Sequence, residues 1–349
     1  MSSITAKAAI IEALRKPLKV GEIQMPDLEC GQVLVQVLRS GICGKQLVEI
    51  NGVLGEDKYL PHLLGHEGGG IVVEIGPGVS QVKKGDHVVM HWRKGLGIEA
   101  RPPKYLCSDG TIVGGGFVTT FNEYSVVSEN RLTSIQDDIP LDIAALMGCA
   151  VTTALGLINN EAKLKIGESI AVIGCGGVGL NVVQGAALVS ANPIIAIDIF
   201  DYKLKLAQEY GATHVINSSN MDIDEEIKKI VGSRGVDVFV ECTGLMELIS
   251  KAYQMTGVNG RTILVAQPKY DETLSIPNML RNFNGKNLIT SQGGQTAPHI
   301  DIQRYLNLYR SGKLSFDKLI THRYPLDEIN TAIENMKAGQ VGRCILVMG

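Results

Sequence analysis

The sequence predicts an α/β protein in which a β-rich region precedes a doubly wound parallel sheet. Three observations carry that reading. Up to about residue 150 the chain consists of short apolar runs cut at close intervals by Gly, Pro and Asp. From about Leu164 strand-like and helix-like segments alternate, the pattern of a parallel sheet with crossover helices. One of those strands runs into a G-x-G-x-x-G turn at 174–179.

In chain order, Val33–Leu38, Gly70–Ile75 and His87–Met90 read as strands of the first region. In the second, Ser169–Ile173 is a strand, Gly177–Ser190 a helix and Ile194–Ile199 a strand. Tyr202–Tyr210 is helical and stops at Gly211, a C-cap residue. Val215–Ile216 is a short strand. Asp222–Val231 starts acidic and ends basic, as a helix dipole favours. Val236–Glu241 and Arg261–Ala266 are further strands, Ile300–Ser311 an amphipathic helix, and Leu326–Lys337 with Arg343–Val347 a closing helix–strand pair.

Composition bounds the function. A chain of 349 residues has room for about two domains. Its 40 glycines, about 11% against a usual ~7%, carry no collagen period and point to glycine-dependent turns. Apolar residues at 45% and charged ones at 20% exclude disorder. A net charge of −3 without a basic block gives no footprint for nucleic acid or an anionic membrane. The uncharged stretch between Glu168 and Asp198 is broken by glycines, Asn181, Gln184, Asn192 and Pro193, so it reads as buried strand, turn and helix rather than a span. No signal-peptide pattern opens the chain, and the seven cysteines form no C-x-x-C pair. A soluble, cytoplasmic protein without disulfides is expected.

The turn Gly174-Cys175-Gly176-Gly177-Val178-Gly179 carries the first chemical assignment. Its first glycine makes the tight turn, the second admits a pyrophosphate, and the third lets helix pack on strand. The phosphates then face the unpaired N–H groups of a helix N-terminus. Asp198 ends the next strand, near the ~20-residue offset expected of a ribose-binding acid. A carboxylate there accepts both ribose hydroxyls and repels a 2′-phosphate, which favours NAD over NADP, although Lys203 brings positive charge nearby. The second assignment is a metal. Cys43, His66 and Cys149 are three N/S ligands in glycine-flanked segments, the set of a catalytic zinc with one open position. Spacing alone does not establish this, since single buried thiols and histidines are commonly just packed.

The segment Gly65-His66-Glu67-Gly68-Gly69-Gly70, followed by Gly76 and Val79, resembles the G-H-E-x(2)-G-x(5)-G-x(2)-V signature of zinc-containing alcohol dehydrogenases, the medium-chain dehydrogenase/reductase (MDR) group. GICG at 41–44, KKGDHV at 83–88, GCAVTTALG at 148–156, GCGGVG at 174–179 and LITHRYPLDEIN at 319–330 follow in family order, so the resemblance covers essentially the whole chain. It implies a discontinuous GroES-like catalytic domain at 1–151 and 294–349, with a Rossmann NAD-binding domain at 152–293 inserted in it and substrate in the cleft. It implies that Cys43, His66 and Cys149 bind zinc with Glu67 beside the metal, that Thr153 and Val178 flank the nicotinamide, and that Arg343 reaches the cofactor phosphates. It also implies a homodimer or homotetramer built on the edge of the cofactor sheet.

Departures from the family pattern sharpen the expectations. Residues 90–116, where many members hold a structural zinc on four cysteines, contain only Cys107, so one zinc per chain is expected. The positions of the relay hydroxyl and of the acid that orients the ligand histidine hold Lys45 and Gln46, and Val48 replaces a downstream relay histidine. Gln46 is expected to accept from the imidazole through its amide oxygen, as a neutral partner. Lys45 either takes over the relay or pairs with a polar group on substrate, the alternative being that it extends to solvent. Trp92 stands where the family places an aromatic pocket residue, with His91, Arg93 and Lys94 around it, which points to a hydroxylated or anionic substrate, of sugar or cyclitol type. The predicted reaction is zinc-assisted hydride transfer between an alcohol and a nicotinamide. A zinc-independent reductase, or a non-catalytic nucleotide-binding protein on the same fold, are the competing readings; both expect lost ligands that this chain retains.

Overall fold

A computed structural model describes residues 4–339 and 341–349. The chain divides into two compact units: residues 1–149 with 297–349, and residues 150–296.

The first unit is built on two β systems. Thr5–Ile11, Lys19–Gln24, Lys104–Cys107, Ile112–Gly114 and His62–Leu63 close into a small barrel. A seven-stranded sheet runs Leu132–Ile135, His87–His91, Glu67–Ile75, Gln32–Ile42, Arg343–Val347 and Ile320–Pro325, with Tyr124–Ser128 also paired to Gln32–Ile42. The long strand Gln32–Ile42 is nearly all buried and ends at the segment that carries Cys43. The last strand of the chain, Arg343–Val347, pairs antiparallel with it and parallel with Ile320–Pro325, so the C-terminal segment completes a sheet begun by the N-terminal one. Val33, Val35, Val37, Val72, Val88, Phe121, Cys344 and Leu346 form the core between these strands and the helix Ile329–Lys337.

The second unit is a six-stranded parallel sheet in the order His214–Asn217, Ile194–Asp198, Ile170–Ile173, Val236–Glu241, Thr256–Leu264, Asn287–Thr290. Numbered along the chain this is 3-2-1-4-5-6, the doubly wound dinucleotide-binding order. Its central strands are buried on both faces, which is why they read as unbroken apolar runs rather than alternating ones. The helix after the glycine turn is Gly177–Leu188, two residues shorter than the sequence pattern implies. No single helix among the described residues is long and apolar enough to cross a membrane.

Among the elements that escape the sequence reading, two show why. The edge strand Asn287–Thr290 is mostly exposed and carries no apolar run. The helix Leu141–Met147 is buried along most of its length, so no amphipathic period marks it.

Candidate metal centre and cofactor turn

The strand Gln32–Ile42 delivers Cys43 to the start of the helix Gly44–Ile50. His66 precedes the strand Glu67–Ile75, and Cys149 follows the helix Leu141–Met147. One ligand atom from each of the three lies within 4.8 Å of the others. His66 Nδ1 is taken up by Gln46, and His66 Nε2 is buried without a protein partner. Two thiols and an unpartnered imidazole nitrogen converging on one half-buried place fit a catalytic zinc with a fourth position left open.

The electrostatics favour a thiolate at Cys43 and leave the proton of the pair on Cys149. The Cys149 thiol hydrogen-bonds Cys43 and, against the effect of burial, joins His66 and Arg343 in holding Cys43 well below the usual thiol range. The same bond, together with burial, pushes Cys149 up. Burial pulls His66 down, but Cys43 and Glu67 more than offset it.

Glu67 is fully buried beside the ligands, and glycines make the space for it. A Cβ on Gly41 would fall 2.7 Å from its Oε1, and one on Gly148 would fall 2.7 Å from its Cβ. Arg343 secures it: Nη2 donates to Glu67 Oε1 and Nη1 to the Ile42 carbonyl at 3.1 Å. Arg343 is thus the partner of Glu67, and that ion pair offsets two buried charges.

Gln46 departs from expectation. Its amide oxygen accepts the Cys43 backbone N–H at 3.0 Å, and its amide nitrogen, not its oxygen, lies 2.5 Å from His66 Nδ1. Lys45 does not simply extend to solvent: its Nζ stands 3.8 Å from Glu49 one turn along the same helix. Burial raises the Glu49 carboxyl, with Lys45 opposing that shift. The i,i+4 pairing of Lys45 with Glu49 is visible in the sequence and was the signal for a residue the sequence reading leaves out. Trp92 is half-buried, with the Arg93 guanidinium 5.7 Å from its ring centroid.

In the second unit the glycine turn has the geometry its residues dictate. Gly174 has φ +92°, a conformation that side chains rarely adopt. A Cβ on Gly179 would lie 2.0 Å from the Gly174 carbonyl oxygen, so the third glycine is required for helix to close on strand. A Cβ on Gly176 would meet nothing within 4 Å, leaving open space over the start of the helix that Gly177 and Val178 begin. Asp198 ends the neighbouring strand, with Oδ2 accepting from Cys175 N–H at 2.7 Å and Oδ1 from Ile199 and Phe200 N–H at 2.8 and 3.1 Å. Lys203 sits 4.7 Å over the Phe200 ring, and Thr153 is buried in the helix Ala150–Gly156. At the same end of the sheet Glu241, which the sequence reading leaves out, accepts from the Thr243 and Gly244 N–H groups, and burial raises its carboxyl.

Residues 177–310 match the family described as zinc-binding dehydrogenase, and residues 29–137 match the alcohol dehydrogenase GroES-like domain. The chain is 32% identical to S-(hydroxymethyl)glutathione dehydrogenase of Paracoccus denitrificans, over 98% of this chain and 99% of that protein. It is 30% identical to alcohol dehydrogenase class-P of Arabidopsis thaliana, over 99% and 98% respectively. Among solved structures, benzyl alcohol dehydrogenase from Acinetobacter calcoaceticus superposes with a TM-score of 0.88 at 27% identity, covering 99% of this chain and 100% of the other. An alcohol dehydrogenase zinc-binding domain protein from Burkholderia ambifaria superposes with a TM-score of 0.91 at 27% identity, covering both chains fully.

Proposed function

The chain belongs to the zinc-containing alcohol dehydrogenases of the MDR superfamily, and on that premise we propose that it is an NAD-specific enzyme for polar secondary alcohols, holding one zinc on Cys43, His66 and Cys149. The family makes it an oxidoreductase acting on CH–OH groups, with zinc and NAD(H) as cofactors. The observation that carries the site is the convergence of two thiols and the free imidazole nitrogen within 4.8 Å.

When bound, zinc supplies a Lewis acid that lowers the pKa of an alcohol hydroxyl, and NAD⁺ accepts the hydride. The protein's own groups do the rest. With zinc bound, Cys43 and Cys149 would both be thiolates, the Cys149 proton being displaced by the metal, and His66 would be a neutral donor. Arg343 keeps Glu67 in place beside them as a neutralised carboxylate. Lys45, paired with Glu49, offers a polar contact for a hydroxylated substrate, and Trp92 an apolar wall. The hydroxymethylglutathione in the Paracoccus relative's name is itself strongly polar, which supports a polar substrate, its own hydroxyl being primary. With NAD bound, Gly174, Gly176, Gly177 and Gly179 would present backbone N–H groups to the pyrophosphate, Val178 and Thr153 would flank the nicotinamide, and Lys203 would bring positive charge near the ribose. Asp198, held by the Cys175, Ile199 and Phe200 N–H groups, would accept from the ribose hydroxyls with its remaining lone pairs, and its charge would disfavour a 2′-phosphate.

One zinc per chain is supported by Cys107, which packs in the barrel core with Ile23 and Tyr105. Seven free cysteines and thiolate ligands suit a reducing compartment, in agreement with a cytoplasmic location. The exposed strand Asn287–Thr290 with exposed Val258, Met279, Leu280 and Phe283 beside it supports a homodimer or homotetramer formed through the sheet edge. Metal analysis combined with NAD⁺ and NADP⁺ reduction over a panel of alcohols, cyclitols and sugars tests the reading. One zinc with NAD-dependent turnover of polar alcohols is expected; no turnover of any of them overturns it.

A further inference from the structure

Gln46 meets Cys43 N–H with one end of its amide and His66 Nδ1 with the other, so that once metal is bound only one of these N–H groups faces the oxygen. It is 1% exposed, in the first turn of the helix Gly44–Ile50. Its Oε1 accepts the backbone N–H of one ligand, Cys43, at 3.0 Å, and its Nε2 lies 2.5 Å from Nδ1 of another, His66. Because Nδ1 is committed to Gln46, metal must bind His66 through Nε2, the buried nitrogen with no protein partner. A histidine ligating through Nε2 carries its ring hydrogen on Nδ1, and that hydrogen needs an acceptor. In the observed orientation the amide offers it another donor. Turning the amide over gives Nδ1–H its oxygen but points the NH₂ at the Cys43 N–H. Each orientation leaves one donor facing a donor, and a buried unmet donor is costly.

We propose that Gln46 is a positioning residue that weakens metal retention, making this a zinc centre whose metal exchanges more readily than the ligand set alone would allow. A carboxylate of the same length has an acceptor for each N–H. The inference rests on the zinc reading of Cys43, His66 and Cys149, and the experiment separates the two. Zinc affinity of the wild-type holoenzyme, Gln46→Glu and Cys149→Ser is measured by competition with a chromophoric chelator, and the His66 Nδ1–H signal is followed by ¹⁵N-histidine NMR in the zinc-loaded proteins.

Gln46→Glu is expected to bind zinc at least about tenfold more tightly, within the 10–100-fold range typical of partners that orient ligands. Its Nδ1–H signal should be sharp and slowly exchanging, where the wild type's exchanges fast. Equal or weaker affinity in folded Gln46→Glu overturns the inference. So does tighter binding without Nδ1–H protection, because that gain would be one of charge alone. If instead wild type and Cys149→Ser hold the same zinc, the ligand assignment itself fails and the inference falls with it.

Discussion

Glu129→Gln tests how the first unit holds residues 93–100. Glu129 is fully buried just after the strand Tyr124–Ser128. Its Oε1 accepts from the Ser80 and Gln81 N–H groups at 2.5 and 2.7 Å, and its Oε2 from Ile98 N–H at 2.7 Å. The loop is closed tightly on the carboxylate: Gly97 has φ +98°, and a Cβ there would sit 2.6 Å from the Glu129 carboxyl carbon. An amide of equal size keeps one acceptor and turns an NH₂ against at least one of these N–H groups. A hydrogen bond to a charged group contributes ~1.5–3 kcal/mol, and an orphaned buried donor costs ~1–3 kcal/mol. The two overlap, so the expected loss is about 2–4 kcal/mol rather than their sum.

Hydrogen exchange is the assay, because a chain of two units need not unfold in one step. The Ser80, Gln81 and Ile98 amides should exchange about 30- to 1,000-fold faster in the variant, at roughly 1.4 kcal/mol per tenfold. Burial pushes the Glu129 carboxyl up, but the three N–H donors outweigh it and hold it below its usual 4.5. Its contribution is therefore complete above pH 4.5 and is lost as pH falls through the folded value. The gap between wild type and variant should narrow in acid. Unchanged protection in Glu129→Gln, or the same gap at pH 7 and in acid, refutes the assignment.

Other expectations follow from single contacts. His91 is buried, with Nδ1 bonded to the Arg93 carbonyl at 2.7 Å and Nε2 to Thr133 Oγ1 at 2.9 Å, and burial pulls it down from 6.5 to about 4. Its neutral form stabilises the fold fully above pH 6.5, and that contribution, at most about 3 kcal/mol, is lost between pH 6.5 and 4. Denaturant titrations across that window should show a flatter pH dependence for His91→Asn than for wild type; parallel curves would count against it. Gly179→Ala places a methyl 2.0 Å from the Gly174 carbonyl oxygen, so NAD binding measured by calorimetry should be lost, with destabilisation of more than about 3 kcal/mol. Retention of wild-type affinity would show that the turn adapts.

The parts of this protein that were legible in its sequence are those governed by local geometry. The glycine turn at 174–179 could be read because a left-handed Gly174 and a Cβ-free Gly179 are demanded by the turn itself. The buried parallel strands announced themselves as apolar runs. Cys43, His66 and Cys149 were legible through family resemblance and not through spacing, since their convergence depends on strands far apart in the chain. What a residue touches across the fold was not legible. Arg343 faces Glu67 across strand pairs that no local pattern encodes. Gln46 turns its oxygen to Cys43 because the helix N-terminus supplies a nearby backbone donor that competes with the imidazole.

The central claim is one zinc held by Cys43, His66 and Cys149 in an NAD-linked alcohol dehydrogenase. Zinc per chain, measured by mass spectrometry of metals in the purified wild type and in Cys43→Ser and Cys149→Ser, tests it most directly. One zinc is expected in the wild type and well below one in both folded variants, with NAD⁺ reduction lost along with the metal. Two zincs in the wild type, or a full zinc retained by both variants, would contradict it.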